Sequence, residues 1–272
     1  MVIERMKKLL LILLCVPLIG LGQDQYSKNS HVSISSRLEG SNYKFEYTFK
    51  DHLNQLHNIW MTFDKENAHN NIEKLGIPKY MFDSYTIYEN TEYERKKILS
   101  DGLYRKKGNL LTVDYNAVVN YYRPYFESVS NYLIEYLQKE GEDSRLNRIE
   151  LVMKFVQDIP YGLPTEKDNY KYDDGIYAPH ELLLRGYGDC DSKTFLFVCI
   201  VSYMINTNDI LFVRNDNHIL SAIKSDNQHG TYFTHKRNKY YICETAGPGR
   251  SNFGYGGDLD GSFYLEEFEL KQ

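Results

Sequence analysis

The chain has 272 residues, with 32 basic and 37 acidic side chains and a formal charge of −5. That mildly acidic balance excludes a chain built to grip nucleic acid, which needs a basic face. The length is ample for a buried core and exceeds a typical single domain, so one large domain or two closely joined parts are both allowed.

The first residues combine basic Arg5, Lys7 and Lys8, an apolar run from Leu9 to Ile19, and Gly20-Leu21-Gly22 ahead of polar Gln23. This is the pattern of a secretory signal peptide cut after Gly22. The apolar run is shorter than the roughly 20 residues a membrane-spanning helix needs. Cys15 follows Leu13-Leu14 rather than a small residue, so lipoprotein anchoring is not expected. Cleavage removes three basic groups and one acid, moves the charge to −7 and leaves 250 residues. The expected location is secreted or periplasmic, with no stable membrane insertion after cleavage.

Residues 23–142 read as an N-terminal region mixing strands and helices, without a legible role. Val32-Ser33-Ile34-Ser35 and Tyr43 to Phe49 alternate as half-exposed strands do. From Glu92 to about Lys139 turn residues thin out, and Tyr132, Leu133, Tyr136 and Leu137 recur at helical spacing. The 25 tyrosines are scattered, which suits rings that pack and hydroxyls that stay wet better than a single aromatic groove.

Residues 143–272 hold the chemistry. Asp143 or Ser144 caps a predicted helix whose apolar face is Leu146, Ile149, Val152, Met153 and Val156, closed by Pro160. A polar connection from Thr165 to Gly175 ends in the turn signal Asp173-Asp174-Gly175. After Gly186-Tyr187-Gly188-Asp189 a buried helix is predicted to start at or just before Cys190 and to run through the apolar stretch from Phe195 to Ile205. Ile210 to Val213, His218 to Ile223 and Lys239 to Glu244 are short, β-branched or aromatic and separated by turn residues, the signature of antiparallel strands.

Cys190, Cys199 and Cys243 remain after processing, and an odd count leaves at least one free thiol. On one helix, Cys190 and Cys199 sit on opposite faces roughly 13 Å apart along the axis, too far to bridge. Cys199 lies mid-run and reads as a small buried hydrophobe. Cys190 stands at a helix N-terminus, where unpaired N–H groups and the dipole favour a thiolate and its own N–H can meet an oxyanion. His218 opens a strand and can serve as its base. Glu244 closes an apolar strand, where a carboxylate needs a partner such as an imidazole N–H. Nucleophile, base and orienting acid on three neighbouring elements are the general arrangement for thiol acyl chemistry.

The segments Pro179-His180-Glu181-Leu182, Gly186-Tyr187-Gly188-Asp189-Cys190-Asp191-Ser192-Lys193, Asn217-His218 and Tyr241-Ile242-Cys243-Glu244-Thr245-Ala246 resemble the transglutaminase-like superfamily in its bacterial exported form. The resemblance covers roughly residues 145 to 250, and Gly-Asp-Cys-Asp is its most specific part. It implies an α+β fold with a papain-like core, in which the helix bearing the cysteine packs on an antiparallel sheet, here with an N-terminal mixed α/β extension. It also implies a thioester formed on Cys190, with His218 as base. Glu244 matches the acid position, where the family usually has Asp; Asp216 and Asp226 are the reserve acids.

Two further signals are read as structural. Asp258-Leu259-Asp260-Gly261 with Glu266 and Glu267 lacks the spacing of a calcium loop, and His229 and His235 lack cysteine partners for zinc. No metal or cofactor is expected. The expected function is an exported thiol hydrolase of amide bonds in protein, peptide or cell-wall peptide, hydrolysis being the default fate of a thioester in a wet site. The rival reading is a non-catalytic module that holds peptide or glycan on the same fold.

Overall fold

The computed structural model describes residues 28–78, 96–107, 110–163, 171–172, 176–215, 218–226, 228–247, 249–257 and 261–271. The signal segment, Asp216, Asp173 to Gly175 and Asp258 to Asp260 lie outside them, and of the connection from Thr165 only Lys171–Tyr172 (β7) is described. The fold is mixed α+β with antiparallel sheets, one of them curled into a half-barrel. Among the described residues no helix is long and apolar enough to cross a membrane.

The N-terminal sheet has the order β1 (Ser33–Glu39), β2 (Asn42–Lys50), β3 (Leu56–Asp64), paired antiparallel throughout. Alternation on β2 buries Phe45, Tyr47 and Phe49 and turns Lys44 and Glu46 outward, the period-2 pattern of a sheet with one wet face. Asp64 caps α1 (Lys65–Lys74) by accepting from the Asn67 N–H. After it comes β4 (Ile77–Pro78), and the stretch from Glu92, part of the region expected to mix strands and helices, holds a hairpin of β5 (Tyr104–Lys107) and β6 (Leu110–Val113). Helices α2 (Tyr115–Tyr122) and α3 (Glu127–Glu140) follow, joined by the 3₁₀ turn Arg123–Phe126, where Pro124 removes a backbone donor. On α3, Leu133 and Leu137 are buried while Tyr132 faces solvent.

Helix α4 (Arg145–Gln157) is capped by Ser144, which accepts from the Asn147 N–H. Its predicted core face holds at Ile149, Val152, Met153 and Val156, but Leu146, in the first turn, is 45% exposed. Helix α5 (Pro179–Arg185) ends on Gly186 in the left-handed conformation. Helix α6 (Cys190–Val201) is buried at every position but Asp191 and apolar from Phe195 on, so it needs neighbours on all sides. It has them: α2, α3, α4, α5, the 3₁₀ turn and β9 (Ile219–Lys224). Strand β9 belongs to the five-stranded sheet ordered β10 (Tyr232–His235), β11 (Asn238–Cys243), β9, β8 (Ile210–Arg214), β12 (Tyr264–Glu267).

One buried cluster runs from Val32 through α6 to Phe268. At its rim Asp158 collects donors from distant parts of the chain: Arg250 Nη1 at 2.5 Å, His31 Nε2 at 2.7 Å, and Asn29 Nδ2 and the Lys50 N–H at 3.0 Å each.

Candidate active site

Asp189 starts α6 as its N-cap, its carboxylate accepting from the Ser192 N–H at 3.0 Å and the Ser192 hydroxyl at 2.5 Å. The Ser192 hydroxyl in turn accepts the Tyr177 N–H at 2.8 Å. This locks the first turn and presents Cys190 at the first helical position, 8% exposed. Gly188 carries no side chain because a Cβ there would lie 2.8 Å from Leu182 and 3.1 Å from Ser192. The Cys190 sulfur donates to Asp191 Oδ2 at 3.5 Å, and the backbone N–H of Ile219 lies near enough to favour the thiolate.

That last contact sets the thiol against the His218–Ile219 step at the head of β9. His218 lies one residue before the strand rather than in it, and its N–H donates to Asn215 Oδ1 at 2.7 Å. Its ring Nε2 meets Glu244 Oε2 at 2.9 Å. Glu244 lies one residue past β11, and β11 pairs with β9 through Cys243 and Ser221. The three predicted residues thus converge on one end of α6, β9 and β11. Of the reserve acids, Asp226 is exposed beyond the opposite end of β9.

Glu244 is fixed from every side. Its Oε1 accepts the Ala246 N–H at 2.8 Å, and its carbonyl accepts Gln157 Nε2 at 2.6 Å. The Ala246 carbonyl accepts Lys193 Nζ at 2.5 Å, and the same ammonium donates to the Ile159 carbonyl at 2.6 Å. Lys193 is fully buried one turn after Cys190, so hydrogen bonds run from the thiol's helix through Ala246 and Glu244 to His218. Sequence reasoning missed Lys193 and Gln157. A lysine opening a helix that is otherwise apolar, and a glutamine on the last turn of α4, were the available signals. Tyr161 was also missed; its backbone bridges to Gly188, and its half-buried phenol is pushed up by burial and then by negative charge at Cys190, Asp189, Asp191 and Glu244.

Electrostatics depart from expectation at the thiol. Burial, then the charges of Asp191 and Asp189, push the Cys190 thiol up, and the Ile219 N–H opposes them only in part. The helix terminus is outweighed by burial first and then by the two neighbouring acids. Asp189, buried beside Asp191, is raised to about 7, and burial lowers Lys193 to about 7. Asp189, Cys190 and Asp191 bring ligand atoms within 4.8 Å of one another. The two acids have other duties, Asp189 as the cap and Asp191 as acceptor for the Tyr115 hydroxyl at 3.0 Å. No protein-family model, curated protein or solved structure matches this chain.

Proposed function

We propose that the chain is an exported thiol-dependent amide hydrolase on a papain-like, transglutaminase-like core, with export read from residues 1–22. The observation that carries this reading is the His218–Glu244 contact at 2.9 Å, with the backbone of the next residue, Ile219, near the Cys190 sulfur. With Nε2 paired to the acid, Nδ1 is the nitrogen that takes the thiol proton. The sulfur adds to the amide carbon, the carbonyl oxygen becomes an oxyanion near the Cys190 N–H, and the C–N bond breaks as the protonated His218 passes its proton to the leaving amine. Water, deprotonated by His218, then cleaves the thioester and returns the thiol. Glu244 stabilises the imidazolium throughout. The substrate class is protein or peptide, including cell-wall peptide.

The raised thiol is the one feature on the side of the rival reading, a non-catalytic peptide- or glycan-binding module, because a resting thiol is a poor nucleophile. Alkylation by iodoacetamide separates the two. Catalysis requires Cys190 to react fastest of the three thiols, and His218→Ala to slow it about tenfold or more at pH 7. Equal rates in wild type and variant would overturn the enzymatic reading. Incubation with a labelled amine and a glutamine-bearing peptide then tells transfer from cleavage.

A further inference from the structure

A second cleft, sharing no lining residue with the Cys190 site, opens between the outer edge of β3 and helices α1, α3 and α5. Its volume is about 310 Å³, and Trp60, Thr62, Phe63, Asn71, Tyr125 and His180 line it. His180 is 1% exposed, and the rings of Phe63, Tyr125 and Phe126 surround it at centroid separations of 5.1, 4.9 and 5.5 Å. Burial lowers its ring to about 4, so it is neutral.

Among the described residues two buried polar atoms here have no partner, His180 Nδ1 and Asn71 Nδ2. Asn71 is 2% exposed, and its other groups are committed, Oδ1 to the Tyr121 hydroxyl at 3.0 Å and the carbonyl to the Tyr122 hydroxyl at 2.5 Å. The amide is therefore fixed, with its N–H pair left over. A buried polar atom without a partner is costly, and native folds keep few of them.

The missing partner is uncharged. Among the described residues no lysine or arginine lines the cleft, and the one carboxylate, Asp64, is engaged in capping α1. A group that accepts from Asn71 and can pair with either tautomer of the His180 nitrogen is one that both accepts and donates, as a hydroxyl does. The volume lies at the small end for ligand pockets, ring-sized rather than chain-sized. Trp60, 66% exposed at the mouth, and Tyr125 offer apolar faces for such a ring. Asn67, Thr62 and Ser128 add polar groups that both donate and accept.

We propose that this cleft binds one ring of a neutral sugar, with a hydroxyl between Asn71 and His180 and the ring face against the aromatic wall. The site is independent of the chemistry at Cys190. Trp60 is the sole tryptophan of the chain, so occupancy reads out in intrinsic fluorescence. The full chain is titrated with N-acetylglucosamine trisaccharide, cellotriose and maltotriose, beside the peptide acetyl-Ala-Gln-Ala-amide. At least one sugar gives a saturable change with a midpoint below about 10 mM. His180→Phe keeps the aromatic packing, removes the nitrogen and weakens that sugar about tenfold. Should His180→Phe fail to fold, Trp60→Ala at the solvent-exposed mouth, followed by saturation-transfer NMR on the sugar, shows the same weakening. No saturable response to any sugar, equal binding by wild type and variant, or a response to the peptide alone would each overturn the proposal.

Discussion

At the scale of single residues, the thiol's reluctance to ionise has an assignable cause. Asp191 both accepts from the Cys190 sulfur and repels a thiolate. Asp191→Asn removes the charge, retains an acceptor for the Tyr115 hydroxyl, and turns a donor toward the sulfur. The thiol midpoint is expected to fall by about one unit, raising alkylation at neutral pH about tenfold; an unchanged pH profile would show that the Asp191 charge does not set the thiol. Cys190, His218 and Glu244 were legible because each type breaks its local pattern: a small polar residue before an apolar run, a histidine at a strand head, a carboxylate at a strand end. The net effect on the thiol was not legible. It depends on how far the Asp189 and Asp191 carboxylates stand from the sulfur and on how much water reaches it, and sequence adjacency gives neither.

At the scale of elements, α6 shows how one buried cation organises a site. The Lys193 ammonium has carbonyl partners from both the end of α4 and the loop after β11. Its folded value near 7 lies below lysine's ordinary 10.5. Below pH 7 it is charged in both folded and unfolded chains, and the cost of burying it is fully present. Between about 7 and 10.5 the unfolded chain keeps a proton that the fold has shed, so stability rises with pH. Lys193→Met is expected to abolish that rise in urea denaturation while loosening the Glu244 loop, seen as a changed His218 titration by NMR. A variant with the wild-type pH slope would count against the buried charge. Strands and helices were readable wherever period and caps agreed, as at Ser144 and Asp189. Within the run from Glu92, β5 and β6 left no separate trace because they are four residues each, too short for alternation to stand out against flanking helical spacing.

At the scale of the whole molecule, Asp158 joins what sequence reading kept apart. Its fully buried side chain holds His31, Asn29 and the β2 end on one side and Arg250 on the other. Burial alone would raise this carboxyl, but Arg250, the Lys50 N–H and His31 outweigh it and hold it below the ordinary range. Its stabilisation is therefore present above the usual carboxylate range and is lost as pH falls through the depressed folded value. Asp158→Ala leaves Arg250 without its carboxylate, and a loss of about 3–5 kcal/mol is expected in denaturant titration at pH 7. A loss near zero would show that the N-terminal sheet docks without help from this carboxylate. Long-range knots of this kind leave no periodic trace in a sequence. The three buried cysteines are all unbridged, so no covalent staple joins the described residues. Folding asks nothing of an oxidant, and a reducing agent such as dithiothreitol can guard the Cys190 sulfur against sulfenic acid without dismantling the scaffold around it.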